Sequence, residues 1–555
     1  MSERIFIGVA WPYANGSLHL GTIAGADLPA DIFARYHRLK GNEVVMVSGS
    51  DSHGTPVTLK AEQEGKTPKE VVDRYQAEFL ECWDKLGISF DLYTTTDTEN
   101  HTEVVQDIFI KLLEGGYLEK RTVSQAYCSR CQRFLPDRYV EGECPHCGNP
   151  GARGDQCDAC NKLLDAHELI NPRCRTCGTE AEFKDSDQFY FKLSAFQEQL
   201  STWAAKQEQW RPNVFMLTQR YLKEGLLDRA ITRDIDWGVP VPVKGFENKR
   251  IYVWFEAVIG YLSAAKEWAA LKGEPEKWRD FWQGDQARSY YFMGKDNIPF
   301  HPLIWPAMLM GYGGLNLPTD IPANEFLTFE GRKLSTSQNW AVWLPDYLER
   351  YDPDPLRYIL SINMPETSDT DFSWREFVRR NNDELVATYG NLVNRVLTFT
   401  YRNFDGCVPQ PGVTNSQSQT LLKNAEETLS KIDNLLYGCH FREAIRTAMS
   451  LAQETNRYLD EKSPWKVIKE DRQAAADSLY TAISLITQLK TLMYPFLPFS
   501  SQKVHEYLGF KGNIEDYEWR WQDLPPGQKL VSPQPLFKKL DKSIIEEETA
   551  RMGKA

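Results

Sequence analysis

No stretch of the chain approaches the ~18 consecutive apolar residues that a membrane-spanning helix requires, so a bilayer-crossing protein is excluded. Positive charge is also short: 64 Lys+Arg stand against 77 Asp+Glu, a formal net charge of −13, which excludes a small basic nucleic-acid-binding module. The N-terminal apolar run, Ile5 to Trp11, is too brief for a secretory signal and runs straight into Pro12 and Asn15-Gly16. A cytoplasmic, reducing location is therefore expected, and with it thiols rather than disulfides. Internal repeats are lacking except for CxxC units. What is present is 555 residues, 42% hydrophobic and 25% charged, a globular composition with room for three or four domains at ~150 residues each.

Ile5 to Ala10 is continuously apolar, as a strand buried on both faces of a parallel sheet would be. After a turn, Leu18, Leu20, Ile23, Ile32, Phe33, Tyr36 and Leu39 recur at helical spacing, with Pro29 marking a kink or a fresh start and Gly41 a C-cap. Val44 to Val47 reads as the second strand. Thr67-Pro68-Lys69-Glu70 has capping-box spacing and opens a helix that ends at Leu86-Gly87. This alternation predicts an α/β fold, a Rossmann-like doubly wound parallel sheet. It stops at a cysteine-rich stretch and resumes near Ile251, so about 115 residues read as an insertion. From Trp374 to Phe510 the pattern is helical: Leu385, Tyr389, Leu392 and Val396 share one face, and Leu435, Ala444, Ala448 and Leu451 repeat the theme, predicting a C-terminal all-α bundle. The charged segment SIIEEETARMGKA is expected to fray.

Eight of the 11 cysteines form four CxxC pairs: Cys128/Cys131, Cys144/Cys147, Cys157/Cys160 and Cys174/Cys177. Two such pairs complete a closed four-cysteine site for tetrahedral Zn²⁺, so two structural zinc ions are expected, and spacing alone leaves three ways of coupling the pairs. A closed site has no open coordination position, so these metals would hold the chain together without catalysing.

A second constellation is WPYANGSLHLGT, residues 11–22, where a strand passes through a turn into a helix with His19 and Gly21 at its mouth. Helix N-termini of this kind bind phosphate. More than 300 residues later comes the cationic, hydroxyl-rich loop Gly331-Arg332-Lys333-Leu334-Ser335-Thr336-Ser337. The HLGT and KLSTS pair resembles the HIGH and KMSKS signatures of class I aminoacyl-tRNA synthetases. Together with SDSHGTP, YVWFEAVIGY, GKDNIPFH and the nested cysteines, it resembles the methionyl-tRNA synthetase family over about residues 4–540.

That resemblance implies a reaction in which the methionine carboxylate attacks the α-phosphate of ATP with Mg²⁺, followed by transfer to the end of tRNA(Met) with its CAU anticodon. It assigns catalysis to His19, Thr22, Lys333, Ser335 and Thr336, and ATP binding to Gly21, Arg233, Gly294, Lys295, Asp296 and Thr336. L-methionine would lie among Ala10, Trp11, Pro12, Tyr13, Trp254, Ala257, Tyr261, His301 and Trp305, with Asp51 pairing its ammonium. Rings suit a thioether, which packs and polarises well but hydrogen-bonds weakly. Anticodon bases would meet Asn391, Arg395, Pro464 and Trp465, with Arg375, Arg379 and Arg380 steering the tRNA. The resemblance also favours nested coupling of the cysteines, with Cys144, Cys147, Cys157 and Cys160 as the inner zinc site and Cys128, Cys131, Cys174 and Cys177 as the outer.

By the same resemblance the catalytic domain is split into 1–115 and 232–323 around an insertion at 116–231, followed by a signature-loop region at 324–375, a helical anticodon domain at 376–540 and a charged tail at 541–555. A monomer is expected, because no strand-rich segment follows the bundle. Four positions depart from the family pattern: Thr22 and Thr336 stand where a histidine and a lysine are usual, Val258 where proline is common, and Asn297 where an aliphatic residue is common. Arg332, Lys295 or Arg233 is expected to supply the cation that Thr336 lacks. The competing readings are a synthetase for another apolar amino acid and a non-catalytic tRNA-binding relative.

Overall fold

Ile5, Phe6, Ile7 and Val9 are completely buried because their strand, β1 (Arg4–Val9), lies in the middle of a five-stranded sheet. Its partners are β2 (Glu43–Ser50), β3 (Leu92–Thr95), β4 (Ala287–Gly294) and β5 (Ala323–Asn324), in the order β5-β4-β1-β2-β3. Every pairing is parallel, with Ile7 opposite both Met46 and Tyr290. The structure, a computed structural model, describes residues 2–154, 157, 159–160, 164–335, 339–412 and 415–553. Among them no helix is long and apolar enough to cross a membrane.

The chain winds one way from β1 to β3 and the other way through β4 and β5. The order therefore reverses between β1 and β4, and open α/β sheets bind ligands in the crevice beyond the carboxyl ends of the strands at such a point. Helices cover both faces. Leu28–Leu39 follows a single π turn, Ile23–Asp27, in which the Leu28 N–H reaches the Ile23 carbonyl, and Pro29 is the second residue of the new helix. Pro68–Leu86 carries the expected capping box between Thr67 and Glu70, and Gly87, at φ 73°, closes it in the left-handed conformation that glycine adopts without strain.

The inserted segment is built on a long antiparallel ladder between Leu118–Cys128 and Glu182–Phe191, and all eight paired cysteines lie at its far end. Beyond β5 come the hairpin formed by Leu327–Phe329 and Arg332–Lys333, and then the helical region. Leu385, Tyr389, Leu392 and Val396 are all completely buried, as their shared face requires. Leu435, expected on the core face, is only half-buried, and Ile432 and Leu436, four apart, are the residues that point inward.

The sheet domain and the helical region are joined by Arg357, which is fully buried and donates to Asp31 (2.6 Å) and to the carbonyls of Phe496 (2.8 Å) and Pro495 (3.0 Å). Arg35 and Arg357 hold the Asp31 carboxyl far below the usual range against the desolvation that burial imposes. Over the described residues the tail does not fray: Ser543–Arg551 is a docked helix whose Glu548 is 4% exposed.

Candidate functional site

The carboxyl ends of β1 and β4 deliver the first site residues. Ala10 continues β1, its N–H donating to the Phe292 carbonyl of β4 (2.9 Å), while Gly294, Lys295 and Asp296 leave β4 into a short 3-10 helix. His19 caps the following helix: its Nδ1 accepts the Gly21 N–H at 3.1 Å. Burial lowers the His19 pKa to about 4, so the imidazole is neutral, and with Nδ1 accepting, its proton lies on Nε2 as a donor. Thr22, one turn further on, has no capping bond of its own.

The second signature meets the first directly. A Cβ on Gly21 would lie 2.6 Å from the Leu334 Cδ1, so the loop packs directly against the signature turn and a larger residue there would have to displace the Leu334 side chain. Beyond the loop, Leu20 N–H donates to the Val342 carbonyl (3.2 Å), Leu344 N–H donates to the Leu18 carbonyl (2.8 Å), and His19 bridges to Trp343. Ser335 pairs with Trp340 across the loop's base. Thr336 lies outside the described residues.

Arg332 and Lys333 are consecutive strand residues and so face opposite ways. The Arg332 guanidinium stacks 4.2 Å over Trp340, while Lys333 Nζ lies 5.2 Å from the Phe326 ring, on the side where Lys295 Nζ is 3.9 Å from the same ring. Lys295 is engaged by Glu325 (2.7 Å) and Asp369 (2.9 Å). Desolvation raises the Asp296 pKa, with Lys333 and Lys295 acting against it. Strand alternation thus directs the Arg332 cation to Trp340 and away from Lys333. Arg233 stacks 3.9 Å over Tyr252 and lines one cavity with Tyr13, Thr55, Tyr252, Trp254 and Arg138.

The aromatic group assembles beside this crevice. Trp11 fits a slot between Gly49 and Gly260, where a Cβ would lie 2.5 and 2.8 Å from its ring. Trp254 Nε1 donates to the Tyr13 hydroxyl (2.6 Å), and Tyr261 donates to His301 Nε2 (2.8 Å), whose Nδ1–H donates to the Asn297 carbonyl (2.9 Å). Burial lowers the His301 pKa to about 4, so the ring is neutral, and the Asn297 carbonyl, which can only accept, places its proton on Nδ1. The Tyr261–His301 pair is thus internally satisfied and, with the completely buried Trp305, presents mainly ring surface. Ala257 is half-buried on the same helix, Val253–Leu271. Pro12 and Ala14 fix Asp51 through backbone bonds of 2.8 and 2.9 Å. Of the departures, Asn297 contributes its backbone to His301, and Val258 is buried in the core.

Behind Asp51 lies a buried array that motif reading did not single out. His53 Nδ1 donates to Glu256 Oε1 (2.8 Å), and His101 Nε2 lies 3.9 Å from Glu256 Oε2. Burial works against charge on His53, but Glu256 outweighs it and raises the pKa. His53 and Glu256 both fall within the quoted SDSHGTP and YVWFEAVIGY segments, which is the signal that could have found them. Arg138 has no such signal, because it comes from the cysteine-bearing insertion.

The eight cysteines gather into two groups, Cys128/Cys131/Cys174/Cys177 and Cys144/Cys147/Cys157/Cys160, each with all sulfurs within 4.8 Å of one another. Neighbouring Sγ atoms lie 3.5 and 3.9 Å apart in the outer group and 3.6 and 3.8 Å apart in the inner. Tetrahedral thiolates around Zn²⁺, with bonds of about 2.3 Å, would be about 3.8 Å apart, so the donor set fits.

In the helical region a groove of about 390 Å³ is lined by Asn391, Arg395, Gln453, Asn456, Arg457 and Asp460. Arg395 stacks 4.1 Å over Trp465, which follows Pro464 in a short helix. Gln453, Asn456, Arg457 and Asp460 form a polar face at spacings of three and four that the sequence reading passed over. Arg379 and Arg380 are paired with Glu376 (2.9 Å) and Glu384 (3.0 Å), so the steering cluster with Arg375 is largely offset by its own helix neighbours.

A parallel sheet with its crevice at the order reversal, a histidine-capped helix at that crevice and a cationic hairpin against it define a class I aminoacyl-tRNA synthetase. Residues 5–397 match the family described as tRNA synthetases class I (M), and residues 408–555 match the anticodon binding domain of methionyl tRNA ligase. The chain belongs to the methionyl-tRNA synthetase family. It is 62% identical over 553 residues to a methionine–tRNA ligase of Dehalococcoides mccartyi strain CBDB1, with 100% of each chain covered. It is 51% identical over 579 residues to that of Thermomicrobium roseum, covering 100% of this chain and 99% of the relative. Mycobacterium tuberculosis methionyl-tRNA synthetase in complex with methionyl-adenylate has the same fold, with a TM-score of 0.80 at 25% identity over 97% of this chain and 100% of that one.

Proposed function

We propose that this chain activates L-methionine with ATP and Mg²⁺ and transfers it to tRNA(Met). The methionine carboxylate oxygen bonds to the α-phosphorus, the bond to the β-phosphate oxygen breaks, and pyrophosphate leaves. The terminal ribose hydroxyl of the tRNA then displaces AMP from the carbonyl carbon. The observation that carries the reading is the meeting of the His19 turn with the Leu334 loop over the β1/β4 crevice, in a chain of this family. The neutral His19 Nε2–H and the Lys333 cation are suited to developing phosphate charge. The ring cluster of Trp11, Tyr13, Trp254, Tyr261, His301 and Trp305 suits a thioether, and Asp51 the ammonium. Methionine-dependent exchange of pyrophosphate into ATP is the test. Exchange driven by leucine, isoleucine or valine would favour the same-class rival, and no exchange the non-catalytic one.

The two four-cysteine groups are read as structural Zn²⁺ sites, the metal supplying cross-links that an exposed knuckle of small core needs. Metal analysis is expected to return two zinc ions per chain, and Cys147→Ser to remove one. A single zinc in the unmodified protein, or no loss in the variant, would refute the assignment.

The groove beside Trp465 is read as the site of the CAU anticodon. Trp465→Ala is expected to weaken tRNA charging by roughly 1 to 3 kcal/mol, the worth of one base stack, while pyrophosphate exchange is unchanged. Equal loss in both assays would make Trp465 a structural residue.

A further inference from the structure

The segment after residue 537 is fastened to the protein at several points. Asn381 donates to the Lys538 carbonyl (2.9 Å), and Asn382 exchanges two bonds of 2.8 Å with the backbone of Leu540. The helix Ser543–Arg551 that follows rests Ile544 and Ile545, half-buried, against the core, and its one fully buried residue is Glu548, which accepts from Arg350 Nε and Nη2 (both 3.0 Å) and from the Tyr351 hydroxyl (2.8 Å). A two-pronged guanidinium–carboxylate pair fixes direction as well as distance. A nine-residue helix has little stability of its own, so its order depends on docking, through Ile544, Ile545 and Met552 on the core and through Glu548.

What Glu548 grips is the end of a segment that leads to the active site. Arg350 closes the helix Leu344–Arg350, and the residues just before that helix pair with the signature: Val342 and Leu344 bond to Leu20 and Leu18, and Trp343 bridges to His19. The Trp343 ring meets the His19 ring edge-on at 6.2 Å. At the segment's other end, Gly553 N–H donates to the Asn339 carbonyl (3.3 Å), and Asn339 accepts from Trp343 Nε1 (2.8 Å). Residues 543–553 therefore hold the 339–351 segment at both ends, and that segment is the backbone partner of His19.

We propose that residues 543–553 are a strap that positions His19, with Glu548 as its anchoring residue. The inference rests on the reading that His19 meets the ATP phosphates. With Glu548 truncated, Arg350 and Tyr351 lose their common acceptor, the end of the Leu344–Arg350 helix loosens although Leu344 and Tyr347 stay in the core, and Trp343 carries the small shift to His19. A displacement of about 1 Å can cost up to ~10²-fold when it reaches reacting groups. A loss confined to the ATP side is the mark of positioning, because the residues assigned to methionine and those lining the anticodon groove come from other segments.

The test uses the full-length chain. Glu548→Ala is expected to slow single-turnover adenylate formation by ~10 to 10²-fold and to raise KM for ATP, leaving KM for methionine and the affinity for tRNA unchanged. Glu548→Gln, which keeps the shape and one acceptor oxygen, should fall between, and the exchanged pair Glu548→Arg with Arg350→Glu should recover most of the rate. Thermal unfolding and zinc content measured on each variant separate local release from loss of fold. Unaltered ATP kinetics in Glu548→Ala, or equal losses for ATP, methionine and tRNA, would overturn the proposal. His19→Ala distinguishes the two layers: full activity there would remove the phosphate reading itself, whereas a slow His19→Ala beside a normal Glu548→Ala would remove only the strap.

Discussion

Lys333→Ala is expected to slow methionyl-adenylate formation by ~10² to 10³ in single-turnover measurements, the usual cost of removing one aligned donor to developing charge. Three features make Lys333 the exposed position. Thr336 takes the place where the family pattern has a second lysine, so a hydroxyl stands where a cation is usual. Arg332, its neighbour, faces Trp340 on the other side of the hairpin. Lys295 is tied to Glu325 and Asp369, which hold its charge away from a phosphate until ligand competes for it. Arg332→Ala should accordingly change the rate by less than about threefold, while Thr336→Lys, adding the missing cation, should raise it. A Lys333→Ala variant within about tenfold of the parent rate would sink this account, and so would an Arg332→Ala as slow as Lys333→Ala.

Much of this molecule was readable from local pattern. Ile5 to Ala10 announced a doubly buried strand, Thr67 and Glu70 a helix start, and Gly87 its stop, because each depends on residues within one turn of one another. Four CxxC pairs announced metal ligation for the same reason. Coupling between pairs was not local, and spacing left three arrangements open until the fold placed Cys128 beside Cys177 and Cys144 beside Cys160. The helix Thr55–Glu64 escaped notice because it buries only Thr55, Val57 and Ala61, too narrow a stripe to produce a visible period.

The site shows the same division. His19, Gly21 and the 331–337 loop could be named from sequence, yet their contact could not, since it runs through Leu334, Val342 and Trp343. Nothing in the 338–351 stretch marks it as a partner of residues 18–20. Arg332 and Lys333 look equivalent in a string and become opposite only when they lie in a strand. Arg138 and Glu548 come from segments that read as a metal-binding insertion and a solvated tail, and only tertiary packing brings them to bear on the catalytic domain.

The second large effect is expected at Asp51. Truncating one partner of a buried charge pair costs about 2 to 5 kcal/mol, so Asp51→Asn should raise KM for methionine by ~10²-fold or more while leaving KM for ATP nearly unchanged. The pH dependence sharpens the test. Burial, and then the nearby Glu256 charge, push the Asp51 carboxyl well above its ordinary pKa. Asp51 must be ionised to pair an ammonium, so kcat/KM for methionine should fall as pH falls through that raised value, at a pH above the usual carboxylate range. Bound ammonium favours the ionised form and draws the pKa down. The acid limb should therefore lie at lower pH in kcat, which reports the complex, than in kcat/KM, which reports the free enzyme. Asp51→Asn should abolish the limb, since the amide does not titrate. A limb that persists in Asp51→Asn would assign the titration to His53 in the array behind it, whose pKa, against the effect of burial, Glu256 raises, and an unchanged KM for methionine would remove Asp51 from the ammonium site altogether.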